Sequence, residues 1–154
     1  TWDRDSVARQ INEFCEAAAP DVSAAVSALA NVLGDCITSA KRGRQISAAS
    51  KIAFFSKPGR DVYIWDRLAK KSAAFRNCRS AAFADYAAYS AACSKALDEE
   101  CRREDFTAAV KKFRAYLQKV GGPMAADSVI HESSYIERRL LDKLLFWEGK
   151  WLEK

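Results

Sequence analysis

One stretch of the 154-residue chain, residues 47–71, combines residue types that carry out acid–base and covalent chemistry. A helix of small residues bears Lys51, a Pro-Gly turn follows, and the apolar run VYIW leads to Asp66 at the start of a basic helix. A carboxylate in such a position can orient or deprotonate a water molecule, and a desolvated lysine can attack as a nucleophile. Asp66 and Lys51 are therefore the candidate catalytic residues.

Other reactive residue types are scarce or unsuitably spaced. The single histidine, His131, disfavours both a catalytic triad and most histidine-based metal sites. The five cysteines form no CxxC pair and match neither a zinc nor an iron–sulfur spacing, so we interpret them as small buried thiols. We expect no metal ion and no other cofactor, and chemistry that depends on carboxylate, lysine or tyrosine.

The net charge of +5 is unevenly distributed along the chain. Residues 41–79 contain eleven Lys and Arg against two Asp, a net charge of +9, whereas the rest of the chain carries −4. A basic segment of this kind is typical of a surface that binds a polyanion, because contacts from Lys and Arg to phosphates release counterions. A solvated basic surface on an ordinary helical protein explains the charge equally well.

Apolar residues recur at helical spacing almost throughout, and only 6 Gly and 3 Pro are present, which disfavours a fold of many short strands. We predict a single all-α domain over residues 1–154, with six or seven helices and a basic segment at 41–79. No apolar run has the length of a membrane span, and the start TWDRDSV lacks the features of a signal peptide. These features predict a soluble, cytoplasmic protein, with a monomer favoured.

Polar residues at predicted helix starts define the helix boundaries. Expected helix starts are Asp5, Asp21, Ser47, Asp66 and Asp105, and a capping box formed by Ser134 and Glu137 precedes the last helix. Pro20, Pro58-Gly59 and Gly121-Gly122-Pro123 are expected to end helices. The fragment VYIW is too short to assign as a strand.

The last helix is the most apolar part of the chain. Leu140, Leu141, Leu144, Leu145 and Trp147 are expected to close the core, and Trp151 to be exposed. Its acidic residues, Glu137 and Asp142, are candidate second carboxylates. The neighbouring Arg138, Arg139 and Lys143 instead favour solvated salt bridges for both.

The order Ser50-Lys51, Phe55, Pro58, Ile64 and Asp66 resembles the core of the helix-hairpin-helix superfamily of DNA glycosylases. In that family a helix bearing a lysine precedes a segment that ends in the catalytic aspartate at a helix start. The resemblance is strong over about 30 residues and implies a related helical core, hydrolysis of the N-glycosidic bond of a damaged or modified base, and duplex DNA as the partner. The target would be a lesion in cellular DNA or a modified base in phage DNA.

The resemblance implies a role for each candidate residue. Asp66 would be the key carboxylate, and Lys51 an auxiliary group or the amine of an associated abasic-site lyase. A phosphate contact or an ordinary surface lysine is the alternative for Lys51. An extruded base is usually stacked on aromatic rings, so Trp65 is the first candidate for a base or duplex contact, followed by Tyr63 and Phe54. Most of the aromatic residues in this stretch are expected to belong to the core instead. The candidate phosphate contacts are Lys41, Arg42, Arg44, Arg60, Arg67, Lys70 and Lys71.

One departure from the family concerns its DNA-gripping hairpin. The family has a Gly-x-Gly turn there, whereas this chain has a single glycine, Gly43, between Arg42 and Arg44. Either these arginines supply the phosphate contact by charge, or DNA is bound in another manner. Two further hypotheses stay open: a non-enzymatic helical DNA-binding or regulatory protein in which Asp66 only caps a helix, and an interaction module whose basic face meets an acidic protein.

Overall fold

The computed structural model describes residues 2–18, 21–37, 43–78, 83–120 and 134–154. These residues form seven α-helices and no β-strand, which confirms the all-α prediction. The helices are α1 (Arg4–Glu16), α2 (Val22–Asp35), α3 (Ile46–Ser56), α4 (Arg67–Arg76), α5 (Tyr86–Glu100), α6 (Glu104–Val120) and α7 (Tyr135–Trp151). No helix in these ranges is both long and apolar enough to cross a membrane. Pro20, Lys41, Arg42, Gly121-Gly122-Pro123 and His131 lie outside the described residues.

Aspartate side chains cap several of the helices. Asp21 and Asp66 cap α2 and α4 as predicted, and Asp85 caps α5 in the same way. The prediction for α1 is wrong, because Asp3 caps this helix and Asp5 lies within its first turn. Asp3 has extended backbone angles that let its carboxylate accept from the N–H of Ser6, whereas a residue already inside the helix does not adopt them.

Other predicted helix starts differ in detail. The helix α3 begins at Ile46, one residue before Ser47, and has no side-chain cap bond. The helix α6 begins one residue before Asp105. The prediction of a capping box at α7 is wrong, because the Ser134 hydroxyl accepts from Arg138 instead of bonding to the helix terminus. Glu137 is also engaged elsewhere, in an ion pair with Arg114 of α6 at 2.7 Å.

The core is a single apolar cluster that draws residues from α2 to α7. Leu141 and Leu145 are fully buried in it, as predicted, and Leu140 packs against its edge. Trp147 was expected there, but its side chain is 61% exposed, and Trp151 is 76% exposed as predicted. Cys36 and Cys93 are buried. The prediction of buried thiols is wrong for Cys15, Cys78 and Cys101, which are exposed.

Helices α4 and α7 pack with their backbones in contact. A Cβ atom at Gly149 of α7 would lie 2.0 Å from the carbonyl oxygen of Leu68, in the first turn of α4. Only a residue without a side chain fits such an approach. The close packing brings α7 against the start of α4, next to Asp66.

Candidate functional site

The segment that leads to Asp66 is extended and is fixed by side chains rather than by a neighbouring strand. On one side, α5 supplies two buried tyrosines. The hydroxyl of Tyr86 accepts from the N–H of Tyr63 at 3.0 Å and donates to its carbonyl at 2.8 Å, while the hydroxyl of Tyr89 donates to the carbonyl of Ile64 at 2.8 Å. Burial raises the pKa of both α5 tyrosines, which keeps their hydroxyls neutral.

On the other side, α3 and α7 each supply one buried polar group. The N–H of Trp65 donates to the hydroxyl of Ser50 at 2.9 Å, and the N–H of Ile64 donates to Oδ1 of Asp142 at 3.3 Å. Three helices thus satisfy the backbone of a segment that has no strand partner among the described residues, as buried N–H and C=O groups require. Their combined contacts set the position of Asp66.

The turn before this segment is held by a buried arginine. Arg138 of α7 is 1% exposed and donates to the carbonyl of Pro58 at 2.6 Å and to the carboxylate of Asp61 at 2.8 Å. The expectation of a solvated salt bridge for this arginine is wrong, because its guanidinium lies beneath the turn. Its role is to fix the path of the chain into the extended segment.

A cavity of about 190 Å³ lies where α3, the extended segment, α4 and α7 meet. We call it the Asp66 cavity; its lining comprises Lys51, Ile64, Asp66, Ala69, Arg139, Asp142, Lys143 and Phe146. The two candidate catalytic residues, on different elements and 15 positions apart in sequence, therefore face the same space. Two carboxylates and three cationic side chains line it together.

Asp66 is half-buried and its two oxygens are used differently. Oδ1 accepts from the N–H of Leu68 at 2.8 Å and from the N–H of Ala69 at 3.3 Å, which caps α4. Both cap bonds are made to Oδ1, so Oδ2 is not used by the cap. One side chain can thus hold the start of the helix and present a carboxylate oxygen to the cavity.

The other predicted site residues occupy distinct places. Lys51 lines the cavity but its side chain is exposed, so burial does not desolvate its amine in this structure. Tyr63 and Phe54 are each 1% exposed and belong to the core, which removes both rings as base contacts in this structure. Trp65 is half-buried, with the ammonium of Lys70 4.1 Å from its ring centroid.

Two of the predicted phosphate contacts are exposed but already bonded within the protein. Arg67 is paired with the carboxylate of Glu153, and the ammonium of Lys71 donates to the carbonyl of Leu152 at 2.8 Å. Both side chains thereby tie α4 to the end of the chain. Arg44 and Arg60 are exposed. Lys41 and Arg42 lie outside the described residues.

Asp142 is buried, although the sequence favoured a solvated salt bridge for it. It is 6% exposed, and among the described residues its buried Oδ2 has no hydrogen-bond partner. Burial raises its pKa to about 7, and the smaller opposing effects come from the Ile64 N–H and from the charges of Arg139, Arg138 and Lys143. The nearby cations therefore do not make Asp142 the solvated ion pair that the sequence favoured.

The helical spacing of the residues that α7 contributes to the cavity can be seen in the sequence. Arg139, Asp142, Lys143 and Phe146 recur at steps of three, one and three, so they share one face of α7. Three of them are charged, which is typical of a solvent-facing stripe. Only the tertiary contact with Ile64 and Ala69 turns this face towards a cavity.

Comparison with known proteins adds no information about this site, so its interpretation depends on its geometry. No protein-family model, curated protein or solved structure matches this chain. Within the part of the chain that the structure describes, no group of three or more His, Cys, Asp or Glu side chains could hold a metal ion.

Proposed function

We propose that the chain is a DNA glycosylase that hydrolyses the N-glycosidic bond of a damaged or modified base, with a core related to the helix-hairpin-helix glycosylases. The observation that carries the proposal is the convergence of Lys51 and Asp66 on one cavity, together with an Asp66 oxygen that the helix cap does not use. The sequence resemblance assigns the catalytic roles to these same two residues.

In the proposed reaction, the bond between the sugar C1′ and the base nitrogen breaks, and the base leaves with the bonding electrons. The sugar passes through an oxocarbenium-like state, which the negative charge of Asp66 stabilises. A water molecule adds to C1′, its proton passes to Asp66, and the departing base takes up a proton from solvent. The requirement on the protein is one fixed carboxylate beside C1′, which a helix-capping aspartate satisfies.

The cations around the cavity suit the phosphates that flank an extruded nucleotide. Lys51, Arg139 and Lys143 come from two different helices and line the same opening. Because Lys51 is exposed, we assign it to a phosphate contact, and lyase chemistry is tested separately below. Phe146, 36% exposed on the cavity lining, is the aromatic side chain placed to meet a base there.

A base-release assay on labelled duplexes, each carrying a different modified base, tests the function. Duplexes are incubated with native protein and then cleaved at abasic sites with alkali. We expect at least one duplex to be cleaved by the native protein and by Asp85→Asn, a matched change at another helix cap, but not by Asp66→Asn. No base release from any duplex, with tight DNA binding retained, would overturn the glycosylase proposal.

The cap bonds of Asp66 favour one alternative, a non-enzymatic helical DNA-binding protein in which this residue is only structural. This alternative predicts that Asp66→Asn, which preserves the cap, leaves every measurable property intact. The two proposals therefore differ in the outcome of a single substitution.

Borohydride trapping on abasic DNA tests the role of Lys51 independently. A Schiff base would be reduced to a covalent complex, and assignment to a phosphate predicts that none forms. If a complex forms with native protein and is lost in Lys51→Ala, the lysine is the lyase nucleophile instead.

A further inference from the structure

The buried carboxyl of Asp142 is not explained by the fold alone. Its Oδ1 has a structural task, because it accepts from the N–H of Ile64. Its Oδ2 has none within the described residues: it is buried, lacks a hydrogen-bond partner, and belongs to a residue that lines the Asp66 cavity. An unsatisfied buried polar atom is costly, and each case in a native protein calls for an explanation.

An asparagine at this position would serve the fold without a buried charge, although its amide nitrogen would then be the unpartnered atom in place of Oδ2. Its amide oxygen would accept from Ile64 as Oδ1 does, and no buried negative charge would arise at any pH. A carboxyl that faces a cavity next to a second carboxylate is characteristic of a functional site. The unused oxygen therefore points to a ligand that enters the cavity.

We propose that Oδ2 of Asp142 accepts a hydrogen bond from a ring N–H of the extruded base, which makes Asp142 a specificity-determining residue. This inference rests on the proposed function and adds the class of base to it: a planar heterocycle with a ring N–H on the edge that faces α7. Such a contact discriminates strongly, because a base without the N–H would leave the carboxyl unpaired.

The charged groups around Asp142 favour the acceptor role once a ligand is present. Arg138, Arg139 and Lys143 of its own helix carry positive charge, and Lys51 of α3 lines the same cavity. Asp66 is the opposing negative charge on the extended side. The α5 groups that face it, Tyr86, Tyr89 and Cys93, are neutral because burial raises the pKa of each.

The amide of Ile64 gives a direct readout of this contact, since it is bonded to the other oxygen of the same carboxyl. The experiment titrates ¹⁵N-labelled protein with two pairs of free bases, hypoxanthine with 1-methylhypoxanthine and uracil with 3-methyluracil. Each pair differs by the methyl group that replaces one ring N–H. We expect one unmethylated base to shift the Ile64 resonance and to bind at least roughly tenfold more tightly than its methylated partner.

The same titration on Asp142→Asn separates a specific contact from general affinity for the cavity. This variant presents an amide donor where the native protein has an acceptor, so the preference for the N–H base should disappear. Native affinity should also fall roughly tenfold per pH unit below about 7, where the carboxyl is protonated, while the variant shows no such change. Equal binding of both partners in each pair, or no shift of Ile64 with any base, would overturn the proposal.

Measurement of base release by native protein and by Asp142→Asn separates a failure of this inference from a failure of the proposed function. If native protein releases a base and Asp142→Asn releases it with unchanged selectivity, the specificity role fails while the glycosylase stands. If native protein releases no base but binds an N–H base through Asp142, the function fails while the contact stands.

Discussion

The carboxylate of Asp66 serves the fold and the proposed chemistry through different oxygens. Because asparagine caps a helix about as well as aspartate, Asp66→Asn should change the free energy of unfolding by less than about 0.5 kcal/mol. Asp66→Ala removes both cap bonds and should lower it by about 1 kcal/mol. Urea denaturation measures both values. A large loss of stability in Asp66→Asn would show that the negative charge itself is structural.

The second carboxyl, Asp142, should leave a signature in the pH dependence of stability. Its pKa is raised from an ordinary value of 3.8 to about 7, so the folded protein binds this proton more tightly than the unfolded chain does. The free energy of unfolding should therefore fall as pH rises from about 4 to about 7, and level off above that. The variant Asp142→Asn keeps every other titrating group, so its free energy of unfolding should not show this fall.

Thermal or urea unfolding of the two proteins at several pH values measures this difference. We expect similar stability near pH 4, where both side chains are neutral in the folded protein, and a more stable variant above pH 7. A variant that is less stable than native protein at pH 8 would mean that the ionised carboxylate has a partner in the folded state.

At the scale of elements, the extended segment depends on α5 for its shape. Tyr86→Phe removes one hydroxyl that satisfies two buried backbone groups of Tyr63, and should lower the free energy of unfolding by roughly 2 kcal/mol or more. Tyr116→Phe on α6 is the matched control, because that side chain is 58% exposed. Equal stability of the two variants in urea would contradict the role given to Tyr86.

The backbone contact between α4 and α7 makes a second prediction. Gly149→Ala places a Cβ against the carbonyl of Leu68 and should destabilise the protein by roughly 1–3 kcal/mol, although alanine is the better helix former. Gly43→Ala is the control, because a Cβ there meets no atom of the described residues within 4 Å. Melting temperatures of the two variants measure the difference, and a Gly149→Ala protein as stable as the control would be contrary to the described packing.

Much of the helical architecture follows from local signals, and the site does so only in part. The caps at Asp21 and Asp66 and the turn at Pro58-Gly59 could be predicted because each depends on a few neighbouring residues. The burial of Asp142 could not, because it arises from contact with Ile64, 78 positions away. The same limit applies to Trp147, whose apolar character says nothing about which side of α7 faces the core.

At the scale of the whole molecule, the fold and not the order in sequence decides which basic side chains line the cavity. Arg67 and Lys71 belong to the basic segment but bind the end of the chain, whereas Arg139 and Lys143 lie outside it and join Lys51 at the cavity. The proposed DNA-binding surface is therefore assembled from α3 and α7. The basic segment found in the sequence includes the α3 side of this surface but not the α7 side.

Salt dependence of DNA binding tests that surface. Lys51→Ala with Lys143→Ala should weaken binding to any duplex and reduce the slope of log affinity against log salt by about 2, because each lysine is expected to neutralise one phosphate. The control is Lys112→Ala with Lys119→Ala, which removes equal charge from exposed positions of α6. Fluorescence anisotropy at several salt concentrations gives both slopes, and equal slopes would argue against DNA at the cavity.

The most direct test of the central claim is the single-turnover rate of base release by Asp66→Asn, measured with its affinity for the same duplex. We expect the variant to bind DNA about as tightly as native protein and to release base at least roughly 100-fold more slowly, as loss of a general base predicts. Release at the native rate by a variant that binds normally would contradict the account and leave Asp66 as a helix cap alone.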